Sequence, residues 1–268
     1  MNRVQRITST SNPQIKAIRA LRQRKERDLQ GRCFIEGIRL VGEALQTGTP
    51  IETLIIAPEL LVSAFAYGVY ESYVKQGGHA IEVSGDVCIH LFQKEHPQGI
   101  GAVVQQRWGK LSDVAATRGM GWVALDAIQD PGNLGTILRT SDAVGCDGVI
   151  LIGHCVDPYD PAALRAGMGA TFSQRLIRAS VAECVAWKRR SDYPIIGTSG
   201  TASADFQAIT YPRPLILLMG SERLGIDAQL LAITDQLVRI PMVGRSDSLN
   251  LAVATGVVLY AMLGQRRG

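Results

Sequence analysis

Along the chain, short continuous apolar runs alternate with longer amphipathic stretches, the pattern of buried strands joined by helices. In residues 11–28 the apolar positions Ile15, Ile18 and Leu21 form one stripe opposite basic residues. This predicts a helix capped by Ser11 or Asn12 with Pro13 in its first turn. Strands are expected at 33–37, 53–57, 80–83 and 100–105, with helices at 38–45, 60–75 and 87–92 between them. Residues 108–120 are polar, carry Gly109 and Gly119 and show no period, so the alternation stops there. It resumes with strands at 122–125, 148–152, 194–197 and 215–219, and with helices at 133–144, 161–167, 181–189 and 227–234. Near the end, Pro241 stops a strand at 238–241, because proline cannot donate to a ladder. A polar loop follows, and an apolar helix runs from Leu249 to about Leu263. The whole reads as an α/β chain in two domains, the second a parallel sheet with crossover helices.

Composition narrows the class. The 268 residues are 46% hydrophobic, enough for one large core or two modest ones. The start, MNRVQRITST, has no apolar segment of a secretory signal, and the apolar run at 251–263 is too short to span a bilayer, so a soluble, cytoplasmic protein without membrane contact is expected. The five cysteines are scattered without a C-x-x-C pair, and the four histidines lack metal-ligand spacing, so buried thiols and no metal are expected. Charge is uneven: residues 1–32 hold nine Lys or Arg (Arg3, Arg6, Lys16, Arg19, Arg22, Arg24, Lys25, Arg27, Arg32) against Glu26 and Asp28, while the remainder is net acidic. A polyanion is one reading of that segment, and a solvated helix face is the other.

Three loops of the second half carry polar residues and glycines that packing does not require. In the first, Asp130 can cap and Pro131 open a helix on which Gly135, Arg139 and Asp142 share a face; Arg139 is suited to phosphate, or else simply pairs with Asp142. In the second, Gly220 permits close backbone approach and Glu222 stands at a strand end, either to fix a ligand or to cap a helix. In the third, Ser248 is expected to cap the last helix with Asn250 directed away from it, so that Asn250 needs a structural partner or a ligand. Two nucleotide motifs are absent: Gly167-Met168-Gly169 has Phe172 where a third glycine would stand, and there is no G-x-x-x-x-G-K-[ST].

In order, Asp130-Pro131-Gly132-Asn133-Leu134-Gly135-Thr136-Ile137-Leu138-Arg139-Thr140, then Leu218-Met219-Gly220-Ser221-Glu222, then Ile240-Pro241-Met242 leading to Ser248-Leu249-Asn250-Leu251, resemble the three motifs of the SpoU/TrmH family of RNA ribose methyltransferases, within the SPOUT superfamily. Arg165-Ala166-Gly167-Met168-Gly169-Ala170 is similar to the family's pattern between the first two motifs. The first half, with Phe34-Ile35-Glu36-Gly37, is similar to an L30e-like substrate-binding domain. The resemblance implies an RNA-binding L30e-like domain at 1–107, a linker at 108–120, and a trefoil-knotted, mainly parallel-sheet methyltransferase domain at 121–268. Topology rules alone would have chosen an unknotted sheet.

It further implies a homodimer that uses S-adenosylmethionine to methylate a ribose 2′-oxygen in structured RNA. Thr198, Ser199, Gly200, Gly220, Ile240 and Leu249 are the expected cofactor residues, and Asn133, Arg139, Glu222, Ser248 and Asn250 the expected catalytic ones. Arg139, helped by a substrate phosphate, would draw the ribose proton. A guanidinium is a poor base with a pKa above about 12, so holding the phosphate and stabilising the alkoxide is its alternative role. Arg19, Arg22, Arg24, Lys25, Arg27 and Arg32 are the expected RNA contacts. The small residues Ala252, Ala254, Thr255 and Gly256 suit either a subunit interface or packing on their own sheet. Ribosomal RNA is the favoured substrate and transfer RNA the alternative; a non-catalytic RNA-binding or ribosome-assembly factor and, more remotely, a nicotinamide oxidoreductase are the competing classes.

Overall fold

The computed structural model describes residues 5–93, 95–114 and 119–267; Arg3 of the basic segment and residues 115–118 of the expected linker lie outside the described residues. The chain forms two compact units, one reaching to Gln106 and including Tyr159–Leu164, the other made of Arg107–Pro158 and Arg165 onward.

The first unit contains β1 (Gln5–Ile7), α1 (Pro13–Ala20), α2 (Arg24–Gln30), β2 (Arg32–Glu36), α3 (Ile38–Gln46), β3 (Ile51–Ile56), α4 (Ala64–Lys75), β4 (Ala80–Val83), α5 (Gly85–Leu91) and β5 (Ile100–Gln105). Its sheet has the order β1-β4-β3-β5-β2, with β1, β4 and β3 parallel and β5 antiparallel to β3 and β2. Ile15, Ile18 and Leu21 pack with Ile55, Ile81, Val87 and Val103, so the predicted stripe is a core face. The predicted cap holds too: Asn12 Oδ1 accepts the Gln14 N–H at 2.8 Å ahead of Pro13.

The single helix expected over 11–28 is instead two, broken at Leu21–Gln23. Arg27 is the reason. Its guanidinium is 2% exposed and donates to the carbonyls of Leu21 at 3.1 Å and Arg22 at 2.7 Å, groups that the end of α1 leaves without helical partners. An arginine expected at an RNA surface is therefore part of the fold. β1, three residues with a mostly polar sequence, has no signal that periodicity could detect.

The second unit contains β6 (Trp122–Asp126), α6 (Pro131–Val144), β7 (Gly148–Ile152), the end of α7 (Pro161–Gly167, whose residues up to Leu164 belong to the first unit), α8 (Ala170–Ser173), β8 (Arg175–Ala179), α9 (Val181–Lys188), β9 (Ile195–Thr198), β10 (Ala204–Asp205), β11 (Ile216–Met219), α10 (Ala228–Leu231), β12 (Gln236–Arg239) and α11 (Leu251–Arg267). Seven strands pair in the order β10-β12-β9-β11-β6-β7-β8, every pairing parallel. β6, β7 and β11 are buried along their length, as continuous apolar runs in the middle of a parallel sheet must be. The fold is thus mixed α/β with a mainly parallel second sheet.

β8 and the two-residue β10 were not expected. β8 is an edge strand whose Arg175 and Arg178 interrupt the apolar run and whose approach is rich in glycine. Residues 107–114 belong to this unit. Gly109 N–H donates to Leu176 O at 2.7 Å, and the Arg178 guanidinium lies 3.7 Å from the centre of the Trp108 ring, a cation–π contact along the sheet edge. All five cysteines are free and buried, and burial pushes Cys88, Cys146 and Cys184 up to about 12, which makes them inert thiols. Among the described residues no helix is long and apolar enough to cross a membrane, and no group of three His, Cys, Asp or Glu could hold a metal ion.

Candidate active site

The carboxyl ends of three neighbouring strands, β12, β9 and β11, open into a cleft of about 660 Å³. That is the position and size expected of a small-molecule site in an open parallel sheet. Thr198, Ser199 and Gly200 leave β9, Gly220 leaves β11 and Ile240 leaves β12, and Leu249 completes the lining from the loop before α11. All six expected cofactor residues therefore share one cavity. Met219 and Ser221, which flank Gly220 in the second motif, also line it, as do Asp247 of the last loop and Leu231 and Arg239; nothing but proximity marks the last two.

Gly220 is required by packing. A Cβ there would lie 2.3 Å from the Gly225 carbonyl carbon and 2.5 Å from the Ile226 nitrogen. The strand end is pressed onto a turn that Ser221 and Gly225 close with two backbone hydrogen bonds of 2.9 and 3.0 Å. The next residue of that turn is Glu222, which is held at the edge of the cleft.

α6 begins as expected, with Asp130 Oδ1 accepting the Asn133 N–H at 2.6 Å and Pro131 in the first turn. The Asn133 side chain then joins the three loops. Its Nδ2 donates to Glu222 Oε1 at 2.6 Å, and its Oδ1 accepts from Asn250 Nδ2 at 2.9 Å. Asn133, Glu222 and Asn250, far apart in sequence, form one hydrogen-bonded chain. Glu222 is its link to the cleft, since Asn133 and Asn250 are not among the lining residues.

The expected division of labour in the last loop is reversed. α11 starts at Leu251 rather than Leu249, and Asn250 is its cap, with Oδ1 accepting Ala252 N–H at 2.9 Å and Val253 N–H at 3.3 Å. A primary amide has both an acceptor and a donor end, so Asn250 caps with one while bonding Asn133 with the other. Ser248 is exposed, lines the cleft and, among the described residues, bonds only Asp247 Oδ1, at 3.2 Å. Of the small residues of α11, Ala252 and Thr255 are buried, Ala254 lines the cleft and Gly256 lies beside Thr140 of α6.

Arg139 stands apart. It is exposed and its side chain makes no hydrogen bond or ion pair with any other described residue, while the alternative partner Asp142 accepts from Ser173 Oγ at 2.7 Å and Gln174 Nε2 at 3.3 Å. Nor is it among the lining residues of the cleft.

Of the other arginines expected to meet RNA, Arg22 donates to the carbonyls of His90 and Leu91 at the end of α5, at 3.0 and 2.8 Å. Arg19 bonds His90, Arg24 pairs with Asp28 at 3.4 Å, and Arg32 pairs with Glu52. Lys25 is exposed without such a bond to another described residue.

An open parallel sheet with a cleft at its strand ends, and a polar side-chain network on the cleft's edge, is the arrangement in which α/β enzymes hold a small molecule. Residues 121–260 match the SpoU rRNA Methylase family and residues 12–102 the MRM3-like substrate binding domain. The chain belongs to the SpoU rRNA methylase family. It is 30% identical to the Bacillus subtilis 23S rRNA (guanosine(2553)-2'-O)-methyltransferase RlmP over 97% of this chain and all of that one. An AdoMet-bound rRNA methyltransferase from Sinorhizobium meliloti superposes with a TM-score of 0.88 at 38% identity, covering 97% of each chain. The SpoU methyltransferase AviRb from Streptomyces viridochromogenes, in complex with AdoMet, gives 0.83 at 28% identity over 96% of this chain and 99% of that one.

The cleft fits S-adenosylmethionine by its chemistry. Leu231, Ile240, Leu249 and Leu251 offer apolar surface to an adenine ring. The backbone groups of Ile240 and Leu249 make no hydrogen bond within the described residues, which leaves donors and acceptors for a purine edge.

Proposed function

We propose that this chain methylates the 2′-oxygen of a ribose in structured RNA, with S-adenosylmethionine as donor and ribosomal RNA as the substrate class. The observation that carries this reading is the hydrogen-bonded chain Glu222–Asn133–Asn250, whose carboxylate end lines the cleft. The names of the full-length relatives support the choice of ribosomal RNA.

Bound S-adenosylmethionine supplies a methyl group on a sulfonium centre. The protein's part is to hold the acceptor. Gly220, Ile240 and Leu249 are the backbone sites for the donor, with Thr198, Ser199 and Gly200 on the other side of the cleft. Asn133 fixes Glu222 and Asn250 in one arrangement, so their remaining polar atoms and the Ser248 hydroxyl meet the ribose without reorganising. In-line alignment of hydroxyl and methyl contributes roughly 7–11 kcal/mol to lowering the barrier. Arg139 holds the phosphate beside the target ribose and stabilises the alkoxide while the 2′-hydroxyl proton leaves to solvent water; a group with a pKa above about 12 is better suited to that than to accepting a proton.

The same reading includes a trefoil-knotted chain, a cytoplasmic homodimer and an RNA-binding N-terminal domain over residues 1–107. An unpaired Arg139 outside its own cleft suits a site completed by a second copy. Val253 and Tyr260, 52% and 56% exposed on α11, give such a copy an apolar surface.

The test is methyl transfer from labelled S-adenosylmethionine to ribosomal and transfer RNA, with alkali-resistant linkages mapped. Labelled ribose in ribosomal RNA is expected. Label in transfer RNA alone moves the substrate class, label on bases overturns the reaction, and no label with intact cofactor binding favours a non-catalytic RNA-binding factor.

A further inference from the structure

Asp126 ends β6, a central strand whose other residues are Trp122, Val123, Ala124 and Leu125, and it is only 6% exposed. A carboxylate in such a place is expensive unless hydrogen bonds hold it. Its Oδ2 accepts the backbone N–H of Asp227 at 2.7 Å, across 101 positions of sequence. Asp227 is the cap of α10, its own Oδ1 accepting Gln229 N–H at 2.8 Å.

The tether therefore fixes the chain just after Gly225 and Ile226 and just before Leu231, all three of which line the cleft. Gly225 and Ile226 are also the residues against which Gly220 is pressed. From the other side, Asp126 begins the loop that leads through the Asp130 cap to Asn133. One buried carboxylate thus sits between the loop that carries Asn133 and the turn that carries Glu222.

Among the described residues, the ionisable groups close enough to act on it are the Asp227 carboxyl and the thiols of Cys155 and Cys184, none of which can supply a positive charge. Backbone N–H donation is what remains to hold the carboxylate, so the position of the Asp227 N–H is coupled to it.

We propose that Asp126 is a positioning residue for the donor cleft: its bond to the Asp227 N–H sets the Gly225–Leu231 wall, and with it affinity for S-adenosylmethionine, without taking part in methyl transfer. This rests on the reading of the cleft as the S-adenosylmethionine site.

The test uses the full chain, with calorimetric S-adenosylmethionine binding and steady-state methyl transfer for Asp126→Ala, Asp126→Glu and Asp126→Asn. Asp126→Ala removes the acceptor and Asp126→Glu keeps the charge but pushes the wall outward. In both, Kd and KM for S-adenosylmethionine should rise about tenfold, the effect of one hydrogen bond to a buried charged group, with kcat at saturation within about threefold. Asp126→Asn keeps an acceptor oxygen and should restore Kd to within about threefold of the parent. If circular dichroism shows Asp126→Ala unfolded, Asp126→Glu carries the comparison. Unchanged Kd in a folded Ala or Glu variant, a fall in kcat with KM unchanged, or no rescue by Asn each overturns the proposal. Failure of the parent chain to bind S-adenosylmethionine would instead overturn the assignment of the cleft.

Discussion

The cleft loops and the basic segment at the start of the chain were both picked out by their polar residues, but their side chains have very different uses. Asn133, Glu222 and Asn250 come from three loops and bond to one another at the cleft. The basic residues of α1 and α2 disperse. Arg27 is buried under the end of α1, Arg22 holds the last carbonyls of α5, and Lys25 is left in solvent. A spacing-specific motif constrains where each side chain ends up, because every member must reach the same point. A run of charge constrains only the average potential, and the individual residues are free to take structural roles.

The largest effect should come from Arg139. Arg139→Ala is expected to lower kcat by about 10²–10³, the range for losing one transition-state donor, with Kd for S-adenosylmethionine unchanged by calorimetry. A variant that keeps its rate would remove the exposed arginine from the catalytic side of the comparison. Asn133→Ala should lower kcat by about one to two orders of magnitude, since it frees the exposed Glu222 and Asn250 to reorient, at roughly 0.5–1.5 kcal/mol for each hydrogen bond lost. Equal loss in Asn133→Ala and in the Asn133→Ala/Asn250→Ala pair would show that the two act as a unit.

Within the basic segment, Arg27→Ala and Lys25→Ala should separate cleanly. Arg27→Ala should destabilise the fold by about 2–3 kcal/mol in denaturant unfolding, because two carbonyls and the Asp160 carboxylate, 3.6 Å from its guanidinium, lose their partner. Lys25→Ala should leave unfolding unchanged and reduce the salt dependence of RNA binding by about one released ion. The reverse outcome would return Arg27 to the RNA surface.

The smallest effect is a pH dependence. Burial raises the Asp126 pKa above the ordinary aspartate value, although the Asp227 N–H pulls it back down. With the folded pKa the higher of the two, the relative stabilisation from protonating Asp126 is complete below the unfolded value and lost as pH rises through the folded one. Asp126→Asn does not ionise, so its Tm relative to the parent should be greater at pH 7 than at pH 4. A difference that shrinks with rising pH would mean that the carboxylate is better held than its surroundings indicate.

Much of the fold could be read from pattern, because buried strands such as 148–152 have to be continuously apolar and helix starts such as Asp130-Pro131 use few residue types. What escaped were elements that lack such signals: β1 with a mostly polar sequence, the edge strand β8, and the break between α1 and α2. In the last loop, Ser248 and Asn250 exchanged their expected parts, since a cap is decided by where the helix starts, and that was displaced by two residues. Asp126 was legible in principle, as the one charge on the strand Trp122–Asp126.

The sequence by itself determined the alternation of strands and helices, the motif residues and the family they resemble, for these depend on residue type and spacing. Only the tertiary structure decided that six residues from four segments line one cleft, that Asn133 joins Glu222 to Asn250, that Arg27 is a core group and that Asp126 holds Asp227. Those are distances between segments up to 117 positions apart, and they exist only after the parallel strands have set their order and register.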